Sequence, residues 1–235
     1  MHNWRPIAAA GLCLCAAGAW AEPEPATAAP QQQCIPPDWE PIIINLPNPL
    51  FVGTPRDLWT PNLEPPVLKA REPLYAPKGV ENLAARAPVT ASQMRPLIGN
   101  LEQITDGEKT GSDGYFIEMA TGLQYVQLDL GEMRELFALA VWHFHMEPRV
   151  YFDVVVRVAE DPDFITNVRT LFNNDHDNSA GFGVGKEKEY IETYEGKLMP
   201  VQDVRARYVR LYSRGNTSNE LNHYIEVEVY GKTAE

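Results

Sequence analysis

The sequence contains few cysteines, with three among its 235 residues. Cys13 and Cys15 lie in the first apolar run, which has the features of a segment that is removed on export. Cys34 would then be the only thiol of the mature chain, so no internal disulfide can form. Cys34 is expected either to pair between chains or to stay free.

No apolar run is long enough to cross a bilayer, which takes about 20 residues. The first 21 residues carry one basic residue, Arg5, then an apolar run from Ile7 to about Gly18, and end in Ala19-Trp20-Ala21. This pattern predicts a signal peptide over residues 1–21, cleaved after Ala21. A lipoprotein signal fits poorly, because neither cysteine follows the required Leu and small residues. We expect a secreted or periplasmic protein without membrane insertion.

Basic residues are scarce, with 20 Lys and Arg against 32 Asp and Glu, for a formal net charge of -12. Loss of Arg5 with the signal peptide, which carries no acid, changes this charge to -13. Such a chain repels nucleic acid and anionic lipid, so a nucleic-acid partner is not expected. Local basic patches remain compatible with this overall charge.

Helical periodicity is nearly absent, and proline is distributed unevenly: 14 of the 20 prolines lie between residues 22 and 77. Residues 22–37 are low in complexity and are predicted to be a disordered tether. Residues 38–80 keep the prolines but add large apolar side chains, including Trp39, Ile42 and Trp59. Proline excludes long helices and central strands there. We call residues 38–80 the strap segment and expect it to lie extended against a folded body.

From about residue 81 onward, apolar and polar residues alternate in several short stretches. These stretches, 125–130, 150–158, 207–212 and 223–230, each read as a strand with one buried face. In residues 136–145, Phe137, Leu139 and Val141 share a face that His143 and His145 continue. The predicted fold class is an all-β sandwich.

Six blocks occur in one order along this region: NLAARAPVTAS (82–92), ITDGEKTG (104–111), YVQLDLG (125–131), YFDVVVRVAEDPDF (151–164), ARYVRLY (206–212) and IEVEVYG (225–231). In this arrangement residues 81–232 resemble the discoidin family, also called coagulation-factor type C domains. The resemblance implies a galactose-binding-like jelly-roll sandwich that binds ligands in loops at one end and does not catalyse a reaction.

The resemblance also implies a structural calcium ion near the start and end of the domain. Asp106 and Glu226 stand at two of the family's ligand positions. Lys109 would supply a backbone carbonyl, and Thr110 or Ser112 a hydroxyl. Carboxylate, carbonyl and hydroxyl oxygens are the ligands that calcium prefers. The alternative is a solvated turn capped by Asp106, with Glu226 on an exposed strand face.

The stretch NNDHDNSAGFGVG, residues 173–185, combines acids, amides, a histidine and three glycines. An EF-hand loop starting at Asp175 would need Gly and Glu where Ala180 and Lys186 stand. The glycine spacing also fits neither a dinucleotide fingerprint nor a Walker loop. Two interpretations remain: part of a ligand-binding rim, or an ordered loop whose Asn and Asp side chains bond their own backbone.

Histidines extend apolar rows toward strand ends, where a sandwich core meets its loops. Sugar-binding relatives of the family often use His, Arg and Asn beside an aromatic ring there. We therefore predict that His145, Arg149, His176 and Asn178 face one cleft, with Trp142 or Phe144 for stacking. The full set of candidate ligand-binding residues is His143, His145, Arg149, His176, Asn178, Arg214 and Asn216, with Asn219 and Asn222 as further candidates. The alternatives for the histidines are a satisfied core position and a transition-metal site near Asp175 and Asp177.

Catalysis has little support, since the chain has neither a nucleophile elbow nor a zinc-protease motif. The first functional hypothesis is an exported, non-catalytic protein that binds a carbohydrate or glycan. The alternative is a structural or protein-binding subunit of an envelope or extracellular complex. A binding module should have a polar, aromatic-edged cleft at one loop end. A subunit should expose apolar surface around Trp39, Trp59 and the strap segment.

Overall fold

The computed structural model describes residues 35–49, 58–65 and 69–234. The signal peptide, Cys34 and most of the tether lie outside these residues. Eleven β-strands and one 3-10 helix, Leu101–Thr105, make up the regular structure of the described chain. The strands are β1 Trp39–Pro41, β2 Tyr75–Pro77, β3 Glu81–Asn82, β4 Val89–Ala91, β5 Ile117–Met119, β6 Gln124–Trp142, β7 Val155–Ala159, β8 Arg169–Asn173, β9 Lys197–Ser213, β10 Asn222–Tyr224 and β11 Glu226–Thr233. The all-β class predicted from the alternation is confirmed. No described helix is long and apolar enough to span a membrane.

The main sheet has seven strands in the order β3-β11-β6-β9-β7-β8, with β4 paired to the first half of β6. A smaller sheet, β10-β5, forms a second layer, and β1 pairs with β2 in the strap segment. All these strand pairs are antiparallel. The core lies between the two layers, because residues of both sheets, such as Ile117, Leu128 and Val156, pack in one buried cluster.

Three predicted rows differ from the structure. In 223–230, Tyr224 lies in the core cluster with Val227 and Val229, whereas Ile225 lies in the cluster on the other side of the sheet. A register shift between Leu136 and Ala138 leaves Phe137 half-buried, so Leu136 rather than Phe137 precedes Leu139 in the core. In 150–158 the alternation holds only from Val154 onward, because Asp153 has a left-handed backbone with φ of 51°. The strands were therefore found by alternation, but the bulges that shift the alternation were not.

The strap segment packs on one side of β6 and β11, the side that carries Trp142 and Tyr230. Ile42, Ile44 and Leu74 pack against these two residues. The polar residues Glu226 and Glu228 of β11 are also buried, at 0% and 6% exposure. Glu226 accepts from the Gly107 amide and Glu228 pairs with Lys109, so the turn that holds Gly107 and Lys109 covers them as well. The expectation that this side of the last strand is solvent-exposed is wrong, because a second layer of chain lies over it.

Candidate functional site

A group here called the aromatic face lies beside the second layer and consists of Phe116, Phe144, Arg149 and His223. The two phenylalanine rings are partly exposed, whereas Arg149 and His223 are 8% and 2% exposed. The rings of Phe116 and Phe144 meet edge to face, with centroids 5.0 Å apart. The Arg149 guanidinium lies over Phe144, 4.4 Å from its centroid, and donates to the Glu147 carboxylate at 3.2 Å. Both phenylalanines keep part of their surface in solvent.

A chain of hydrogen bonds links this face to the interior. His223 Nε2 lies 3.2 Å from Glu118 Oε2, and His223 Nδ1 lies 2.9 Å from the Tyr151 hydroxyl. Burial, followed by the charges of Arg149 and His143, lowers the pKa of His223 to about 4. His223 is therefore neutral at pH 7. Since a carboxylate only accepts, Nε2 carries the proton and Nδ1 accepts from Tyr151.

His143 lies deeper, fully buried, and stacks on the Tyr151 ring at 4.5 Å. Its Nδ1 atom is 2.6 Å from Glu192 Oε1. Burial and the negative charge of Glu192 raise the pKa of the Tyr151 and Tyr190 hydroxyls well above the usual range. Sequence reasoning missed Glu192, which is 49 residues from His143 and belongs to no motif.

His145 lies outside the aromatic face. It is 1% exposed, and its Nε2 atom lies 2.8 Å from the Lys109 carbonyl oxygen. The prediction that His145 projects beyond the core is wrong. It instead ties the segment after β6 to the turn that contains Lys109.

The residues predicted to share a cleft make contacts in two separate groups, and no described hydrogen bond or ring contact joins the groups, so the common cleft stays a prediction. His145 follows the last residue of β6, Trp142. The 173–185 loop begins where Asn173 pairs with Val155, which pairs with Tyr212, the partner of Tyr125 at the start of β6. Arg149 belongs to the aromatic face, whereas His176 and Asn178 belong to the loop.

Arg214 lies beside that loop, and Asn216 lies in the turn before β10. Arg214 donates to the Ser179 carbonyl at 3.1 Å. Asn216, 6% exposed, bonds Asn219 and the Leu221 carbonyl within its own turn. Asn222 is fully buried. Arg214 and Asn219 are exposed.

The 173–185 loop is held by side chains that bond its own backbone. Asp175, fully buried, accepts from the amides of Ser179 and Ala180 at 3.0 and 2.9 Å. Asn178 has φ of 61° and accepts from the Gly183 amide at 2.7 Å. Gly181 and Gly183, with φ of 81° and 95°, place Phe182 between them against Tyr212. This geometry matches the second interpretation, an ordered loop whose Asn and Asp side chains bond their own backbone.

Three carboxylates of this region, Asp153, Asp175 and Asp177, place oxygens within 4.8 Å of one another. Burial and the neighbouring acids raise the pKa of Asp153. Within the described residues this is the one cluster of three or more potential metal ligands, and it contains no histidine. The transition-metal alternative that combined histidines with Asp175 and Asp177 therefore has no supporting geometry.

Of the candidate calcium residues, Glu226 contacts the turn that contains Asp106. Glu226 Oε2 accepts from the Gly107 amide at 3.1 Å, and Glu226 Oε1 is buried without a hydrogen-bond partner. Burial and the charges of Glu228 and Asp106 raise the pKa of Glu226 to about 9. The hydroxyls of Thr110 and Ser112 lie 3.2 Å apart. These hard oxygens fit a calcium ion. The Lys109 carbonyl fits less well, because it already accepts from His145.

Comparison with solved structures finds likeness over the sandwich. A family 89 glycoside hydrolase from Clostridium perfringens in complex with 2-acetamido-1,2-dideoxynojirmycin shares 19% identity at a TM-score of 0.49, over 65% of this chain and 15% of the hydrolase. The CBM32 of AlyQ in complex with 4,5-unsaturated mannuronic acid shares 20% identity at a TM-score of 0.44, over 60% of this chain and 92% of that module. A pectin binding carbohydrate binding module shares 18% identity at a TM-score of 0.43, over 62% of this chain and 91% of that module.

No protein-family model and no curated protein matches the chain. The discoidin resemblance of residues 81–232 therefore stays a prediction. At the low identities and TM-scores of the solved structures, we infer function from the chain's own side chains.

Proposed function

We propose that the protein binds carbohydrate through the aromatic face and catalyses no reaction. The observation that carries the proposal is the half-exposed Phe144 ring, flanked by Phe116 and covered at one side by the Arg149 guanidinium. An aromatic ring contacts the C–H face of a sugar, while nearby charged and polar groups bond its hydroxyls.

The polar groups around Phe144 are of suitable types. Arg149 supplies donors, Glu118 and Glu147 supply acceptors, and neutral His223 holds Glu118 in place. The buried Tyr151–His143–Glu192 network behind this surface fixes the rings before a ligand arrives. A preformed site loses less entropy on binding.

A glycan array with the purified protein tests the proposal, followed by affinity measurement of the strongest ligand. Phe144→Ala should weaken binding by about tenfold or more, which corresponds to roughly 1.4 kcal/mol. Phe137→Ala is the matched control. Like Phe144, Phe137 is partly buried and has a cation over its ring, in this case Lys232, but it lies within β6 and outside the aromatic face. Equal loss in both variants would refute a sugar site at Phe144.

We also propose that Asp106 and Glu226 hold a calcium ion, together with the Thr110 or Ser112 hydroxyl. The buried, unpartnered Glu226 Oε1 supports this assignment. A bound ion would neutralise the adjacent carboxylates and tie the turn after the 3-10 helix to β11.

A second candidate function, contact with a protein partner, is favoured by the exposed side of the strap segment. Ile43 and Trp59 are 72% and 75% exposed there, and Trp39 is 37% exposed. Photo-crosslinking in the producing cell from position 43 should yield a specific adduct. The same probe at Val184, 65% exposed on the 173–185 loop, is the control.

A further inference from the structure

A regular array of side chains occupies the side of the main sheet opposite the core. Arg157, Arg210, Tyr125 and Asp129 keep part of their surface in solvent, and the other members of the array are buried. Three strands contribute to the array in register. Tyr125, Gln127 and Asp129 of β6 lie opposite Tyr212, Arg210 and Tyr208 of β9, and these lie opposite Val155, Arg157 and Ala159 of β7. The alternate residues, such as Val126, Leu211 and Val156, are in the core. We call this array the outer face.

Two arginines lie directly opposite each other at its centre. Arg157 of β7 pairs in register with Arg210 of β9, so both side chains project from the same side of the sheet. Like charges in directly opposite positions destabilise a sheet. The arrangement therefore needs a compensating anion or a functional reason.

No carboxylate of the described residues forms an ion pair with Arg157 or Arg210. The carboxylate of the outer face, Asp129, binds Arg207 through two hydrogen bonds of 2.7 and 2.8 Å. Arg210 bonds neutral acceptors: the Gln127 amide oxygen, the Tyr212 hydroxyl and the Pro162 carbonyl. Arg157 makes no ion pair with a described residue, and its Nε atom is buried without a hydrogen-bond partner. Two positive charges thus remain uncompensated on a protein whose net charge is -12.

Aromatic rings surround these charges. The Arg210 guanidinium lies 4.5 Å from the Tyr125 ring and 4.0 Å from the Phe164 ring. The Arg157 guanidinium lies 4.7 Å from the ring of Phe182, which contacts Tyr212. Tyr125, Phe164 and Phe182 are half-buried, so each keeps an accessible edge or face. The rings hold the guanidinium groups in fixed positions and offer apolar surface next to them.

From this geometry we propose that the outer face is a second binding surface, for an extended anionic polysaccharide. Carboxylate or sulfate groups of the chain pair with Arg157 and Arg210, and sugar rings lie on the neighbouring aromatic side chains. The accessible groups, Arg157, Arg210 and the rings beside them, are spread over three strands and the adjoining loops, and a polymer can contact several of them at once. The proposal does not depend on the aromatic face, which lies on the other layer.

Affinity gel electrophoresis of the purified protein tests it, with polygalacturonate as the carboxylate probe, chondroitin sulfate as the sulfated probe and dextran as the neutral polymer. The measurements are made near 0.1 M salt, where repulsion from the rest of the acidic surface is screened beyond about 10 Å. Retardation by at least one polyanion and not by dextran is expected. Arg157→Gln should weaken that binding about tenfold, the factor that accompanies loss of one charge-assisted hydrogen bond.

Three controls give the result its meaning. Arg169→Gln removes the same charge from an exposed position on β8 and should leave binding unchanged, as should Phe144→Ala. Arg157→Lys should retain more binding than Arg157→Gln. Circular dichroism should show that Arg157→Gln is folded under the conditions of the gel. Absence of retardation by both polyanions, or equal binding by folded Arg157→Gln and the wild type, would each overturn the proposal.

Discussion

The Nδ1 atom of His143 lies 2.6 Å from Glu192 Oε1, and the two side chains are 0% and 1% exposed. Removing one partner of such a pair leaves a buried polar group unsatisfied. Glu192→Ala should therefore lower the free energy of unfolding by about 3 kcal/mol. Denaturant titration measures this change.

Glu192→Gln is the control for this pair, because it keeps an acceptor of the same shape. It should cost clearly less than Glu192→Ala. If the two variants lose the same amount, the bond to His143 does not contribute in the way the structure indicates.

The neutral state of His223 predicts a loss of stability in acid. Its pKa is about 4 in the folded protein, against about 6.5 in an unfolded chain. Between these values the unfolded chain binds more protons, so stability present above pH 6.5 is lost as the pH falls toward 4. The contribution is about 3 kcal/mol.

Other groups also titrate in this range, so the informative quantity is a difference. His223→Gln, which keeps a donor and an acceptor but does not titrate, should lose less stability on acidification than the wild type. Parallel curves for the two proteins would contradict the assignment of His223.

The proposed calcium ion should raise the unfolding temperature, because it binds the folded arrangement of Asp106 and Glu226 and not the unfolded chain. A chelator should reverse the gain, and Asp106→Asn should abolish it. Asp113→Asn is the control, since Asp113 is an exposed acid of the same segment. An unchanged unfolding temperature with and without chelator removes the ion from the account.

Two glycines of the 173–185 loop should differ in their tolerance of alanine. A Cβ at Gly185 would overlap the backbone of Asn173, whereas a Cβ at Gly181 would meet open space. Gly185→Ala should cost about 2 kcal/mol or more because backbone must move. Gly181→Ala, at φ of 81°, should cost about 1 kcal/mol for its left-handed conformation. Unfolding measurements that reverse this order would contradict the loop geometry.

The strands of this fold are predictable where side-chain burial alternates regularly. Val126 and Leu128 read as buried in the sequence and are fully buried in the structure. The buried position predicted for Phe137 was wrong because a bulge shifts the register next to it, and no residue type marks that bulge. The exposed face expected for Glu226 and Glu228 was wrong because distant chain covers it: the turn with Gly107 and Lys109 contacts both side chains.

The site was predictable only in part. Arg149 and Phe144 were identified as suitable residue types, and the structure brings them together. His145 was placed in the site because it ends an apolar row, but its partner is the Lys109 carbonyl, and a backbone acceptor leaves no mark in the sequence. Phe116 and Glu118 lie on β5 or just before it and reach the site only through the pairing of β5 with β10.

The central claim is that carbohydrate binds at the aromatic face. Titration of isotope-labelled protein with the best array ligand, followed by nuclear magnetic resonance, tests it most directly. The largest shift changes should fall on Phe144, Arg149, Phe116 and His223, with the 173–185 loop little affected. Shift changes confined to that loop, with none at Phe144 or Arg149, would contradict the proposed site.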